Sequence, residues 1–206
     1  NLMIRRIVLS QTYPMDSRPA PAALEVDTEN KLRHCARIRR LQGEAIRDSM
    51  LVVSGQLDRT MYGKGTLNEG MKRRSIYFFI KRSKLIPMMQ LFDQPEPLVS
   101  QGDRPATTIA PQALMFMNNP HVRGYAAALA QRLAPTMKES TEQAVRQGYL
   151  TALSRAPKEP EIADNVAFLN EQIASYKAES KTNAHDLALA DFCQVLFSLN
   201  EFVFVE

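Results

Sequence analysis

Cysteine and histidine are too few and too scattered in this chain to build a metal centre. Cys35 and Cys193 are the two cysteines among 206 residues, and His34, His121 and His185 are the three histidines. Neither CxxC nor CxxCH spacing occurs, so there is no haem-attachment motif and no metal site is expected. Two readings of the cysteines stay open: two small apolar side chains, or one long-range disulfide formed in an oxidising compartment. No apolar run approaches the roughly 18 residues of a membrane span. GxGxxG, Walker, HExxH and GxSxG are all missing, which leaves no strict catalytic motif and no cofactor to expect. Neither helix-turn-helix spacing nor an aromatic-plus-basic RNA motif accompanies the basic balance, so nucleic acid is disfavoured as a partner. Internal repeats and low-complexity segments are absent as well.

What is present suits a globular domain. Hydrophobic residues make up 45% and charged residues 23%, enough apolar surface to bury one sizeable core over residues 1–206. The opening NLMIRRIVLSQTY is too basic, and too short in its apolar part, for a signal peptide. It reads as an element entered part-way, so the chain is expected to be a piece of a larger protein. Charge is uneven. Residues 1–104 hold 18 Lys/Arg against 11 Asp/Glu, while residues 105–206 hold 8 against 11. Either the basic half meets an anionic partner, or its charges are solvated and paired internally with the acidic half.

Apolar spacing predicts helices along most of the chain. Leu2, Met3, Ile4, Ile7, Val8 and Leu9 predict a two-turn helix with one buried face. Pro14, Pro19 and Pro21 predict a loop to about Thr28. Leu32, Cys35, Ile38 and Leu41 predict a helix over 31–42, with Gly43 splitting or weakening its continuation through Ile46, Met50 and Val53. Gly55 suits a left-handed cap, and 56–71 reads as a loop. Ser75–Ile80 is strand or buried helix. A short helix follows over 84–91 with Pro87 in its first turn, then a long irregular connection through Pro95, Pro97, Gly102 and Pro105. Thr107 or Thr108 caps a helix containing Pro111. Asn119-Pro120 opens another, which Pro135 ends. The capping box Ser140-Thr-Glu-Gln143 opens the next. A helix over 159–177 and a last one over 184–199, apolar nearly all round, complete the set. The tail Phe202–Val205 is β-prone and is assigned to pair with Ser75–Ile80.

The fold expected is therefore mainly α: one bundle of seven to nine helices, a central apolar C-terminal helix and one short β pair. Its predicted core is Ile7, Ile46, Met50, Phe78, Leu114, Leu129, Leu133, Val166, Leu169, Phe192 and Leu196.

Candidate site residues concentrate between 44 and 112. Glu44 and Asp48, at i and i+4, present two carboxylates on one helix face, and Asp93 sits in the turn Phe92-Asp-Gln-Pro95. These three are the candidates for acid–base work, against a plain reading as helix-side pairs and a turn closure. Arg47, Arg74, Tyr77, Arg104, Thr107, Thr108 and Gln112 are the candidates for binding. The last four surround a predicted helix N-terminus, where donors favour an anion. The alternative is that Thr caps the helix, that Tyr77 packs in the core, and that Arg47, Arg73, Arg74 and Arg104 pair with Glu44, Asp48, Asp58 and Asp93.

A set of short motifs runs in order through the chain: Ser10-x-Thr12-Tyr13, Arg39-Arg-Leu41, Glu44-Ala-Ile-Arg-Asp48, Ser54-Gly-x-Leu57, Arg73-Arg-Ser-Ile-Tyr77, Phe92-Asp-x-Pro95, Arg104-x-x-Thr-Thr108, Pro111-Gln-Ala-Leu114, Arg155-x-Pro157 and Asn200-Glu-Phe202. Over nearly the whole chain the set resembles the planctomycete secreted-protein domain of unknown function found C-terminal in large cytochrome-c-like proteins. The resemblance implies an extracytoplasmic location, periplasmic or secreted, and the other domains of a parent protein as partners. It transfers no catalytic residue and no haem. Pro157-Lys158 departs from the Pro-Thr helix start usual in that family, which weakens one cap. Two functions follow as expectations. The first is a non-catalytic binding or interaction module of a larger exported protein, with an anionic polysaccharide among its candidate partners. The other is an enzyme acting on a polyanionic or sulfated carbohydrate through Asp93, Glu44 or Asp48.

Overall fold

The computed structural model describes residues 2–205. Two compact units divide the chain, residues 1–40 with 204–206 and residues 41–203. Among the described residues there are ten α-helices, one 3-10 turn and one two-stranded antiparallel sheet, and no helix is long and apolar enough to cross a membrane.

The first unit holds α1 (Leu2–Val8), α2 (Pro21–Val26) and the strands β1 (Arg39–Arg40) and β2 (Phe204–Val205). The strands pair Arg39 with Val205 and Arg40 with Phe204. The tail therefore pairs with β1 rather than with Ser75–Ile80. The helix α1 forms as its spacing predicts but buries no residue, and Ile7, expected in the core, is 55% exposed. No helix forms over 31–38. Asp27 accepts hydrogen bonds from the backbone N–H groups of Lys31 (2.9 Å) and Leu32 (2.7 Å), and Asn30 and Arg33 take left-handed φ values of 51° and 55°. Short polar side chains that bond their own backbone compete with the helix ladder, and here they win over apolar spacing.

The second unit is the helical bundle. It runs α3 (Gly43–Val53), the 3-10 turn Ser75–Tyr77, α4 (Pro87–Leu91), α5 (Ala110–Asn118), α6 (Pro120–Glu139), α7 (Thr141–Leu153), α8 (Glu159–Ala178), α9 (Ala184–Ser198) and α10 (Asn200–Val203). The helix α9 is central: it packs on α5, α6, α7, α8 and α10, and Phe192, Cys193, Leu196 and Phe197 are fully buried. Ile46, Met50, Leu129, Leu133 and Leu169 join them in the core. Phe78 and Val166 are only half-buried. Leu114 is 51% exposed because α5 turns Gln112, Met115 and Phe116 inward instead. Both thiols are free, and burial pushes that of Cys193 up.

Local chemistry explains the element ends. Gly43 does not split a helix but starts α3, where a Cβ would lie 2.8 Å from Phe92 Cβ. Asn119 Oδ1 accepts from the N–H groups of His121 and Val122 at the head of α6. Pro135 does not end α6, which continues to Glu139. Pro135 and Gln131 are both exposed, so water can reach the Gln131 carbonyl that the proline leaves without its helical donor. Ser154, in the left-handed region at φ 58°, closes α7.

Candidate functional site

Helix α3 projects Glu44, Arg47 and Asp48 toward the irregular chain that follows it, and these three side chains organise it. Arg47 is 2% exposed. Its guanidinium donates to the carbonyls of Arg73 (3.0 Å), Met71 and Glu69 (3.5 Å) and to Ser75 Oγ (3.1 Å). The Phe78 ring lies against it, with its centroid 4.6 Å from Cζ. Burial draws the Arg47 guanidinium below its ordinary pKa and raises the neighbouring Tyr125 phenol above its own. Asp48 accepts from the Ser75 N–H at 2.7 Å, from Arg74 Nε at 3.4 Å, and stands 3.7 Å from Arg47. The 3-10 turn is thus fixed to α3 by a carboxylate on one side and a guanidinium on the other.

Glu44 takes Arg104 bidentately, at 3.1 and 2.9 Å. The same guanidinium donates to the carbonyls of Asp93 (2.9 Å) and Phe92 (3.2 Å). Asp93 has a left-handed φ of 60°, and its carboxylate accepts from the Thr107 N–H and hydroxyl, both at 2.8 Å. Gln112, 5% exposed, donates to the carbonyls of Leu91 (2.9 Å) and Thr107 (3.1 Å) and accepts from the Ile109 N–H (3.4 Å). The two ends of the long connection, 93 and 104–107, are therefore tied to each other and to α3.

Glu44, Asp93, Arg104, Thr107 and Gln112 are thus linked through one polar network, and Arg47 and Asp48, on the same helix, form a second one around Ser75. Arg74 lies at its outer edge. Tyr77 is half-buried and accepts from the Tyr62 N–H at 2.7 Å, and Thr108 is exposed. Neither threonine caps α5. Ile109 holds the cap position, with Gln112 closing it. Arg73 bonds the carbonyls of Thr60, Tyr62 and Lys64 and stacks on Tyr77. Asp58, one of the four carboxylates expected to hold the four arginines as a set, accepts instead from the Thr60 N–H and hydroxyl.

The cavity beside Arg47, lined by Phe78, Ile86, Met88, Val122 and Tyr125 among others, measures about 10 Å³. That is room for one water at most. Open depressions of about 240 to 420 Å³ lie on the surfaces of α5 to α9, and those hold none of Glu44, Asp48 and Asp93. Among the described residues no three His, Cys, Asp or Glu side chains gather as a metal site.

Residues 1–169 match the family model PSD1, described as a protein of unknown function (DUF1553). The chain belongs to the PSD1 family. No curated protein and no solved structure matches it.

In this PSD1 chain the motifs far apart in sequence meet in space. Glu44-Ala-Ile-Arg-Asp48 holds both Arg73-Arg-Ser-Ile-Tyr77 and Arg104-x-x-Thr-Thr108, and the latter closes on Phe92-Asp-x-Pro95. A second cluster joins the last two motifs: Arg155 meets Glu161 at 2.8 and 2.7 Å and Glu201 at 2.6 and 2.7 Å. Sequence reasoning did not place Glu161 or Glu201 in any site. For Glu201 the signal was available in the motif Asn200-Glu-Phe202, which lies beyond the matched range, whereas no motif contains Glu161.

Two outcomes follow from these clusters. Asp93→Ala removes the acceptor that holds Thr107 and should lower stability by about 1–3 kcal/mol. Limited proteolysis within 94–106 should accelerate, while Lys81→Ala and Lys84→Ala leave both readouts unchanged. Asp93→Gly relieves the left-handed backbone and separates that contribution from the lost carboxylate. For the second cluster, the Arg155 hydrogen bonds hold the Glu161 carboxyl down at about 2, and the same partner lowers Glu201. A carboxylate with a depressed folded pKa stabilises fully above its unfolded value, and that contribution is lost as pH falls toward the folded one. Stability should therefore fall between about pH 4.5 and pH 2. Glu161→Gln should flatten that limb in an acid titration followed by circular dichroism, and an unchanged limb would exclude the cluster as its source.

Proposed function

We propose that this PSD1 chain is a non-catalytic binding module of a larger exported protein. The observation that carries the reading is how the polar residues of the hub are used. The Glu44 carboxylate, the Asp48 and Asp93 carboxylates and the Arg47 and Arg104 guanidiniums are spent on the chain's own backbone and on each other. An acid–base pair must reach a bound substrate, and neither the cavity beside Arg47 nor the depressions on α5 to α9 are lined by Glu44, Asp48 or Asp93. These residues brace a scaffold, and what the scaffold presents is the outward, strongly basic segment 72–84. The ordered motifs from Ser10 to Phe202 support placing the parent among planctomycete secreted or periplasmic proteins with a cytochrome-c-like part elsewhere.

The test is paired. The purified chain should be retained on immobilised dextran sulfate and eluted by salt, as charge-driven binding requires. It should release neither sulfate nor reducing sugar from sulfated polysaccharides. Turnover abolished by Asp93→Asn in a variant that still folds would replace the module with the enzyme reading.

A further inference from the structure

We infer that the ribbon from Lys72 to Lys84 is a docking loop for an anionic lipid surface, with Ile76, Phe79 and Ile80 seated at the headgroup–acyl boundary. This rests on the binding-module reading and names its partner. The sequence KRRSIYFFIKRSK places an apolar run between two basic clusters. Ile76, Phe79 and Ile80 are 76%, 56% and 63% exposed. Met61 and Tyr62, 66% and 79% exposed, are brought alongside by the bond from the Tyr62 N–H to the Tyr77 hydroxyl and by the bridge between Thr66 and Phe78.

The ribbon is not a loose loop. Its inner side is pinned, with Ser75 buried against Arg47 and Asp48 and with Phe78 under the Arg47 guanidinium. Thr66 accepts from the Phe79 N–H at 2.9 Å, and its own N–H donates to the Tyr77 carbonyl at 3.0 Å. Phe78 is held inward, while Phe79 and Ile80 after it both stay exposed. Large apolar side chains held in water by a fixed backbone mark an interaction surface.

Charge selects the occupant. Residues 72–84 contain six Lys/Arg and no Asp or Glu. Lys72, Lys81, Arg82 and Lys84 are exposed and, among the described residues, belong to no ion pair. The bond from the Lys84 N–H to the Lys81 carbonyl closes a tight turn that gathers three of these cations beyond Ile80. A sulfated polysaccharide would satisfy the cations but gives aliphatic Ile76 and Ile80 nothing to bury against. A bilayer rich in acidic lipid serves both, because apolar burial and headgroup attraction add.

The absence of tryptophan supplies the experiment. Phe79→Trp introduces a sole tryptophan at the centre of the apolar run. With vesicles of phosphatidylglycerol and phosphatidylcholine its emission should move to the blue and become quenchable by brominated acyl chains. With phosphatidylcholine alone it should not move. Lys81→Gln with Lys84→Gln should weaken vesicle binding about thirtyfold. Ile76→Ser with Ile80→Ser should abolish the part that survives high salt, with dextran sulfate binding unaltered and far-ultraviolet circular dichroism confirming the fold of each variant. Vesicle binding without the blue shift, or binding indifferent to Ile76 and Ile80, overturns the lipid inference. Retention on dextran sulfate with no vesicle binding overturns it too, while leaving the module reading in place. Binding to neither probe overturns both.

Discussion

Arg47→Ala should be among the most damaging single substitutions in this chain, costing about 3–5 kcal/mol. The guanidinium is buried, yet what it mainly satisfies is backbone: the carbonyls of Glu69, Met71 and Arg73, with Ser75 Oγ beside them. Those carbonyls lie in a segment with no strand or helix to take them. Each buried acceptor left without a donor costs about 1–3 kcal/mol, and the Phe78 ring loses the cation against which it packs. A domain has only about 5–15 kcal/mol in hand. Arg47→Lys should recover little, because one ammonium cannot span acceptors set around a planar fork. The readout is the urea midpoint together with protease cutting between 60 and 80. An unfolding free energy within about 1 kcal/mol of the wild-type protein would show that segment 69–78 holds itself, and would remove the support on which the docking ribbon stands.

How far the sequence showed this arrangement differs from one element to the next. Helices α6 to α9 could be read closely from their long apolar stripes, and α6 and α7 also from the caps Asn119 and Ser140, whereas Asn183, which reads as a cap for α9, makes no side-chain cap bond. What misled was local competition. The stripe Leu32, Cys35, Ile38, Leu41 has helical spacing, but Asp27 and Asn30 bond the backbone first. Pro135 looked like a stop, and exposure of its face let the helix pass. The run Ser75–Ile80 was too short for periodicity to decide; its first three residues form a 3-10 turn, where Asp48 and Arg47 capture Ser75. The hub residues could be identified by type, as an excess of Arg beside Glu and Asp, but their pairings could not. Glu44 finds Arg104 60 residues away, and Arg155 finds Glu201 46 residues away. No helical or strand period carries such distances. Asp93 shows the same gap: its turn was readable, whereas its bond to Thr107 depends on a loop closing through tertiary contacts.

Phe192→Ala should rival the arginine substitution, and its partner across the bundle makes the effect diagnostic. Phe192 is fully buried on α9 and faces Gly148 on α7. Removing its ring should cost about 3–5 kcal/mol, the transfer loss plus the cavity. The ring occupies the space a side chain at 148 would need. A Cβ on Gly148 would meet Phe192 Cε1 at 2.7 Å, Cζ at 3.0 Å and Leu196 Cδ1 at 3.2 Å. Gly148→Ala alone should therefore destabilise by about 1–3 kcal/mol through overpacking, against a helix-propensity gain of about 1 kcal/mol. With Phe192 already truncated, the new methyl enters vacated space, the clash disappears and the propensity gain remains. The double variant should then be more stable than the sum of the singles predicts, with a coupling of about 1–3 kcal/mol. Four denaturant curves measure it. Additivity within about 0.5 kcal/mol would mean that α7 and α9 separate to admit a Cβ without the ring moving, and that the central helix is packed less tightly than its burial indicates.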